Sequence, residues 1–551
     1  MTAPPDTERR AVEAPRVDLA LRVVTGLAVA VGVAARFVPR NDLWLDEALS
    51  VNIASRPLLD IPDALRHDGH PPLYYWLLHL WMQVVGSGDW WVRALSGLFG
   101  LAALPLAYLA GRRLGRRRGS EGLGARRTGL IALALYAVMP YAVRYSTETR
   151  MYSLVSALVL GGYLLVDNLL ARPRRADRPT PSPLGSTLGL VAVTAALLYS
   201  HYWAIWLLGA TGLLALAVAI RAADRDRRRR AILCIAGLVG GAVLFLPWLP
   251  TMLYQSQHTG TPWGKVFRPA TILVVSLMDF TGGGFGELQI VSYVLAFAVA
   301  IAVFGALRHR AGREVVELTA APQPRVAVEL SVLLVTFAIG WAASVVGSST
   351  YASRYAAVVF PLFVLCVAGG LAMARTPRST VVVVGAVAAG LLVGCTVEIF
   401  TDRTQAGVVG DAVAADARTE QGVTAQHPAV VLTCPDQLGP ATRRALANRG
   451  IDARVVVFPT GGDGRFVDWV DYAKRNKAAD PAAFVKETLA GLPADTVVYT
   501  VTNPGYKTLE GKCEAMFDAV ARSGGTMEQL VTADTNNFFE PMDLWVRRPS
   551  S

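Results

Sequence analysis

Charge is scarce in this sequence. Only 17% of its 551 residues are Asp, Glu, Lys or Arg, while 53% are hydrophobic and the mean hydropathy is +0.39. Ordinary soluble domains carry about a quarter charged residues, so most of this chain belongs in a bilayer. Lysine is scarcer still, with six residues against 47 arginines. The formal net charge of +11 does not indicate nucleic acid, because the basic residues form short clusters between apolar stretches instead of lining one face of a domain. Cysteine is also sparse. Of the five, Cys234, Cys366 and Cys395 fall in or at the end of apolar stretches and read as packing residues. Cys434 and Cys513 sit in a polar region, where an oxidising compartment would let them pair and a reducing one would leave two free thiols. No small-residue cleavage site follows the first apolar run, which therefore reads as a retained span. Neither an internal repeat nor a low-complexity segment is apparent.

What the chain does have is apolar length. Eleven runs, near 18–37, 90–111, 127–143, 151–171, 184–200, 202–221, 231–250, 288–307, 327–346, 355–374 and 379–398, each hold enough apolar residues to cross a hydrocarbon core as a helix. Arginine clusters fall at every second connection: Arg112, Arg113, Arg116–Arg118, Arg126 and Arg127; Arg172, Arg174, Arg175 and Arg178; Arg221, Arg225 and Arg227–Arg230; Arg308, Arg310 and Arg313; Arg375 and Arg378. Basic loops stay in the cytoplasm, so the pattern predicts an N-terminus inside and a C-terminus outside. The first outward segment contains LWLDEALSV and then RHDGHPPLYYWLLHLW, too short in its apolar half to span comfortably. It reads as an interfacial helix with Tyr74, Tyr75, Trp76 and Trp81 at headgroup depth. Counting it as a twelfth span would put the arginine clusters outside. From about 402 the composition becomes that of a soluble domain, with β-rich runs (AVVLT, RVVVF, TVVYTVT, DLWVRR) between helix-like segments. The expected organisation is an α-helical polytopic membrane domain over 1–401 and an extracytoplasmic α/β domain over 402–551.

The chemistry-bearing residues collect on the outward segments. Asp46 and Glu47 are adjacent carboxylates amid apolar neighbours, costly to bury without a task or a partner. The plain reading has Asp46 capping an interfacial helix and Glu47 facing water. The same face holds His67, Asp68 and His70 before two prolines; Arg144, Glu148 and Arg150 in RYSTETRMY; His201 and Tyr202; Lys265; and Arg354 with Tyr355. Outer edges carry few basic residues, so these cations need a reason. A bound phosphate is one, and arginine suits it. Snorkelling, or an ion pair such as Glu148 with Arg144 or Arg150, is another.

Taken together, Trp44-Leu45-Asp46-Glu47 after the first span, HPPLYYWLLHLW, Glu148-Thr149-Arg150-Met151-Tyr152 and Arg354-Tyr355 before a late span resemble the GT-C glycosyltransferases. More narrowly, they look like the family of protein O-mannosyltransferases, aminoarabinose lipid A transferases and actinobacterial cell-envelope mannosyltransferases. The resemblance covers about residues 18–375; the C-terminal region matches no motif of the family. It implies an inverting transfer from a polyprenyl-phosphate sugar, with Asp46 as the catalytic acidic residue and Glu47 beside it. His70, Glu148, Arg150, His201, Tyr202, Lys265, Arg354 and Tyr355 become candidates for the donor phosphate and sugar, and Trp44, Tyr74 and Tyr75 for lipid or acceptor. His70 stands where some relatives carry a Lys beside a metal-binding acid; with Asp68 it leaves a divalent metal open, and no cofactor is otherwise implied.

The expected activity is transfer of mannose to an envelope glycan, glycolipid or protein at the outer face of the plasma membrane. Arabinofuranose is the nearest competing sugar. A transporter or flippase of lipid-linked sugar would place its charges within spans near the midplane and break spans with Gly or Pro. Here the candidate charges gather at outer span ends.

Overall fold

The computed structural model describes residues 5–38, 42–117, 123–170, 182–259, 267–282, 289–310, 313–320, 322–323, 325–347, 351–373, 377–418, 429–493, 496–503 and 509–549. Lys265 lies outside the described residues, as do Arg118, Arg172, Arg174, Arg175, Arg178 and Arg375. The chain divides into two compact units. One comprises Met1–Val38, Arg93–Leu249 and Lys265–Ile399; the other comprises Pro39–Val92, Pro250–Gly264 and Phe400–Ser551.

The first unit is helical and polytopic. Each of the eleven apolar runs carries a helix. Six helices are long and apolar enough to cross a membrane alone: Asp89–Arg117, Tyr152–Leu170, Ala204–Arg221, Arg225–His258, Ala327–Val346 and Ser379–Phe400. A seventh span is made if the bent pair Gly124–Val138 and Pro140–Ser146 counts as one. Shorter apolar helices include Leu19–Ala35, Pro183–Leu198, Gln289–Phe304 and Phe360–Leu371. One more, Pro269–Thr281, lies in a stretch that the run lengths leave as a connection; its 13 residues fall below the spanning length. The connection carrying Arg308, Arg310 and Arg313 forms an antiparallel hairpin, β1 (Gly305–Arg310) with β2 (Arg313–Leu318).

The bent pair shows how sequence sets a local break and how the protein satisfies it. Pro140 has no amide hydrogen and disfavours helical backbone before it, and Met139 is extended at φ −68°, ψ 122°. The carbonyls at the end of the preceding helix then lack intrahelical donors. Arg36, fully buried, supplies them: Nη1 donates to Ala137 O at 2.7 Å and Nη2 to Tyr136 O at 3.0 Å, with Gly32 O also accepting at 2.6 Å. The helices must touch for this to happen. A Cβ at Gly32 would lie 2.2 Å from Ala137 O, so only glycine fits. At another junction Arg117 donates to Asp167 at 2.6 Å and to Glu329 at 3.0 Å, while the Tyr163 hydroxyl donates to Glu329 at 2.8 Å. Three helices are pinned by that network.

The second unit is built on a five-stranded sheet. Strands β3 (Val430–Cys434), β4 (Arg454–Val457), β5 (Val498–Thr502), β6 (Thr526–Val531) and β7 (Asp543–Arg548) run in the order β4-β3-β5-β7-β6. The first three are parallel; β7 is antiparallel to both β5 and β6. Side chains alternate across the sheet, and both faces of β3, β4 and β5 are covered, which is why these three strands read as near-continuous apolar runs. On one face Val431, Val457, Tyr499 and Val501 pack with Val409 of helix Ala406–Asp416 and Ala441 and Ala445 of helix Gly439–Asn448. On the other, Leu432, Cys434, Phe458 and Val498 pack with Cys513, Met516 and Val520 of helix Lys512–Arg522.

Cys434 and Cys513 are joined by a disulfide that closes a loop with a sequence separation of 79. Cross-linking a loop of this size removes freedom from the unfolded chain and contributes about 2–5 kcal/mol. Replacing both cysteines by serine is therefore expected to lower the thermal midpoint of this unit in the detergent-solubilised protein, an effect that reductant reproduces in the parent and not in the variant. Equal midpoints for parent and variant would count against it.

Candidate functional site

In the second unit the carboxylate pair opens a short helix, Leu45–Ala54. Asp46 and Glu47 occupy its first turn, where the helix dipole favours negative charge. The capping reading of Asp46 does not hold, because Trp44 is the N-cap residue and makes no side-chain cap. Nor does Glu47 face water: it is 1% exposed, whereas Asp46 is half-buried. The hydroxyl of Ser50 donates to the Asp46 carbonyl at 2.7 Å, holding the turn.

A second cluster follows in the same unit. Asp68 Oδ2 accepts from His70 Nδ1 at 2.8 Å and from the Tyr75 hydroxyl at 3.0 Å. A carboxylate only accepts, so the His70 proton toward it sits on Nδ1. Gly69 makes the two-residue approach possible at φ +89°, and a Cβ there would meet Thr259 Oγ1 at 2.8 Å. Gln255 Nε2 ties the segment down from outside, donating to Leu65 O at 2.6 Å. The aromatic segment is helix Leu73–Val85, with Tyr74 and Tyr75 buried within the unit, ring edge against ring face at 6.2 Å, and Trp76 and Trp81 half-buried. Among the described residues no three His, Cys, Asp or Glu side chains are placed to hold a metal ion.

The sequence offered no signal for one further member of this unit, Glu540. Its backbone is paired with the 403–405 stretch, its N–H donating to Arg403 O at 2.8 Å and its carbonyl accepting from Gln405 N–H at 3.0 Å. The side chain is 6% exposed, accepts from the Thr404 hydroxyl and the Leu45 amide, and is pushed up to about 8 by burial, with the Asp46 charge adding to the rise. Phe539 beside it meets the Trp44 ring edge-on at 5.7 Å.

The first unit holds the candidate cations. Arg150 is buried, and its carbonyl accepts from Ser96 Oγ at 3.0 Å. Arg354 lies over the Tyr355 ring at 5.9 Å, and its carbonyl accepts from the Tyr141 hydroxyl at 2.9 Å. Tyr355 stacks on Trp203 at 6.0 Å and lies 5.4 Å from the His201 ring. His201 Nδ1 accepts from the Trp203 amide at 3.1 Å, which leaves a neutral ring's proton on Nε2. Arg354, Tyr355 and His201 are thus brought together, with the Tyr152 ring 5.7 Å from the imidazole. Tyr202 turns elsewhere, its hydroxyl accepting from Trp248 Nε1 at 2.9 Å. Glu148 belongs to an ion cluster. Arg144 reaches it at 3.4 Å, Asp279 at 2.9 Å and Glu398 at 3.9 Å.

No family model and no curated protein sequence matches the chain. Solved structures do. The chain is similar to ArnT from Cupriavidus metallidurans in the apo state, with 15% identity over 94% of this chain and 97% of that one and a TM-score of 0.56. The same protein bound to undecaprenyl phosphate gives 16% identity over 94% and 97% and a TM-score of 0.55. An oligosaccharyltransferase from Archaeoglobus fulgidus matches at 10% identity over 94% and 72%, with a TM-score of 0.46. The chain has the GT-C glycosyltransferase fold, with a C-terminal sheet domain.

Arg144 is committed to three carboxylates. Arg144→Leu would remove the cation that the three share, at a cost of about 3–5 kcal/mol. The expected result is a lowered thermal midpoint, partly restored by Arg144→Lys. An unaltered midpoint in Arg144→Leu would remove the structural assignment.

Proposed function

We propose that this chain is an inverting membrane glycosyltransferase that moves a sugar, mannose by preference, from a polyprenyl phosphate to a cell-envelope glycan, glycolipid or protein. The observation that carries the reading is a carboxylate pair in the first turn of a helix, following the first apolar helix of a GT-C fold. That Asp46 sits at a helix N-terminus with an ordered main chain, and not as an exposed surface acid, supports it.

In the reaction the Asp46 carboxylate takes the proton of an acceptor hydroxyl while that oxygen bonds to the anomeric carbon. The anomeric carbon–oxygen bond breaks on the opposite side, and its electron pair leaves on the polyprenyl phosphate. A phosphate is a weak base, so fixed cations serve where a protonating acid would otherwise be needed. Arg150 and Arg354 are the proposed contacts, and Tyr355, held on Trp203, keeps the Arg354 side chain in place. His70, oriented by Asp68, is a proposed donor to phosphate or sugar hydroxyls. Lys265 remains a candidate by resemblance.

The site is proposed to face out of the cell, with the basic loops inside. Single cysteines at Ser87 and Gly462, both exposed, are expected to react with an impermeant maleimide in intact spheroplasts, whereas one at exposed Ala223 reacts only after lysis. Labelling of Ala223 from outside would reverse the orientation.

Asp46→Asn keeps shape but cannot take a proton, and is expected to reduce turnover of a synthetic polyprenyl-phosphate mannose by about 100-fold or more while donor binding persists. Arg150→Ala and Arg354→Ala should raise the donor KM and lower kcat together, by about 10- to 1,000-fold in kcat/KM. Full activity of a membrane-inserted Asp46→Asn protein would remove the base.

A further inference from the structure

Glu540 lies in a region without any family motif, yet its carboxyl bonds the first residue of the helix that carries Asp46. The Thr404 hydroxyl accepts from the Ala406 amide at 3.1 Å, so its own proton is available to Glu540. The Leu45 amide is a second donor. Glu540 Oε2 has no hydrogen-bond partner among the described residues, so both donors fall on Oε1. A neutral acid in this setting carries its proton on Oε2.

We propose that Glu540 is a positioning residue for Asp46, binding the Leu45 amide at the helix start and presenting the Asp46 carboxylate with an uncharged acid instead of a second anion. The inference rests on the transferase reading of Asp46. Burial is the chief reason the neutral form persists, holding the carboxyl up to about 8, and the Asp46 charge reinforces it. The charged groups on the packed elements are Asp46 and the buried Glu47 on helix Leu45–Ala54 and Arg403 on the paired stretch, whose guanidinium lies over the Trp44 ring at 5.9 Å; Asp46 is the charge that raises Glu540. Thr404 and the Leu45 amide are neutral. Once Glu540 ionises, a further negative charge stands beside the Asp46–Glu47 pair, and an anionic lipid phosphate is disfavoured there.

Two measurements test this on the full chain. The first is kcat/KM for polyprenyl-phosphate mannose against pH. In the parent it is expected to fall about tenfold per unit above about pH 8, and in Glu540→Gln that alkaline limb is lost; Glu540→Ala, which removes the acceptor for Leu45, loses about tenfold or more throughout and is largely rescued by Gln. The second needs no turnover. A raised acid stabilises the fold fully below its ordinary value of 4.5, and that contribution is lost as pH rises toward about 8. The thermal midpoint should follow this decline in the parent, flatten in Glu540→Gln, and decline at lower pH in Asp46→Asn, where the neighbouring charge is gone. Superimposable midpoint profiles in all three proteins would overturn the proposal. Absence of donor turnover in the parent, with the midpoint profiles shifted as expected, would instead sink the transferase reading and leave the Asp46–Glu540 coupling standing.

Discussion

The carboxylate-bearing segment depends on a set of ion pairs, first among them those of the Arg449 guanidinium. That guanidinium pairs with Asp42 at 3.0 Å and with Asp411 at 2.7 Å, so the stretch before helix Leu45–Ala54 and helix Ala406–Asp416 are gripped by the one side chain that caps the C-terminal end of helix Gly439–Asn448. Arg444, on the same helix, takes Asp89 at 2.7 Å at the other end of the segment. Between them His67 meets Asp468 at 2.9 Å, and the Trp469 amide donates to His67 O at 2.9 Å. These pairs range from half-buried to exposed, and surface pairs are worth about 0–1 kcal/mol each, so the segment rests on all of them together. Their effect is geometric: several weak attachments leave one register in which Trp44 meets Phe539 and Leu45 meets Glu540. Arg449 in turn holds the exposed Asp411 carboxyl below its usual range.

The first unit solves a different problem, that of arginine in an apolar helical bundle. Arg36 donates through both Nη atoms to helix-end carbonyls, Arg117 pairs with Asp167 and Glu329, and Arg144 pairs with Glu148, Asp279 and Glu398. Each uses the planar fork of donors that lysine lacks, which fits the preference for arginine in this chain. Arg354 is held otherwise, with its guanidinium over an aromatic ring that is itself stacked.

Much of this was legible beforehand. Apolar length located every long helix, and β-branched runs such as RVVVF located β3, β4, β5 and β7, because burial on both sheet faces writes itself directly into composition. Strand β6 was not visible: Thr526–Val531 is an edge strand with mostly exposed side chains and so lacks the pattern. Helix Pro269–Thr281 was missed because a 13-residue apolar stretch satisfies neither a span nor an ordinary connection. Among site residues, Asp46, Arg150 and Arg354 stood out by type and place. Glu540 did not, since a lone glutamate in FFEPM looks like surface until its 495-residue partner, Leu45, is found beside it. Glu47 and the Asp68–His70–Tyr75 cluster show the same limit: neighbours in sequence were visible, burial was not.

The separation of 407 residues between Asp42 and Arg449 also has a temporal side. Ribosomes add about 5–20 residues per second, so the segment bearing Asp46 emerges roughly 20–80 seconds before the helix end that grips it exists. During that interval the stretch bearing Asp46 has no scaffold and cannot hold its final form. On the proposed reading of Asp46, catalytic competence arrives only after the strands of the second unit are made, and the earlier helices are synthesised with that carboxylate still unassembled.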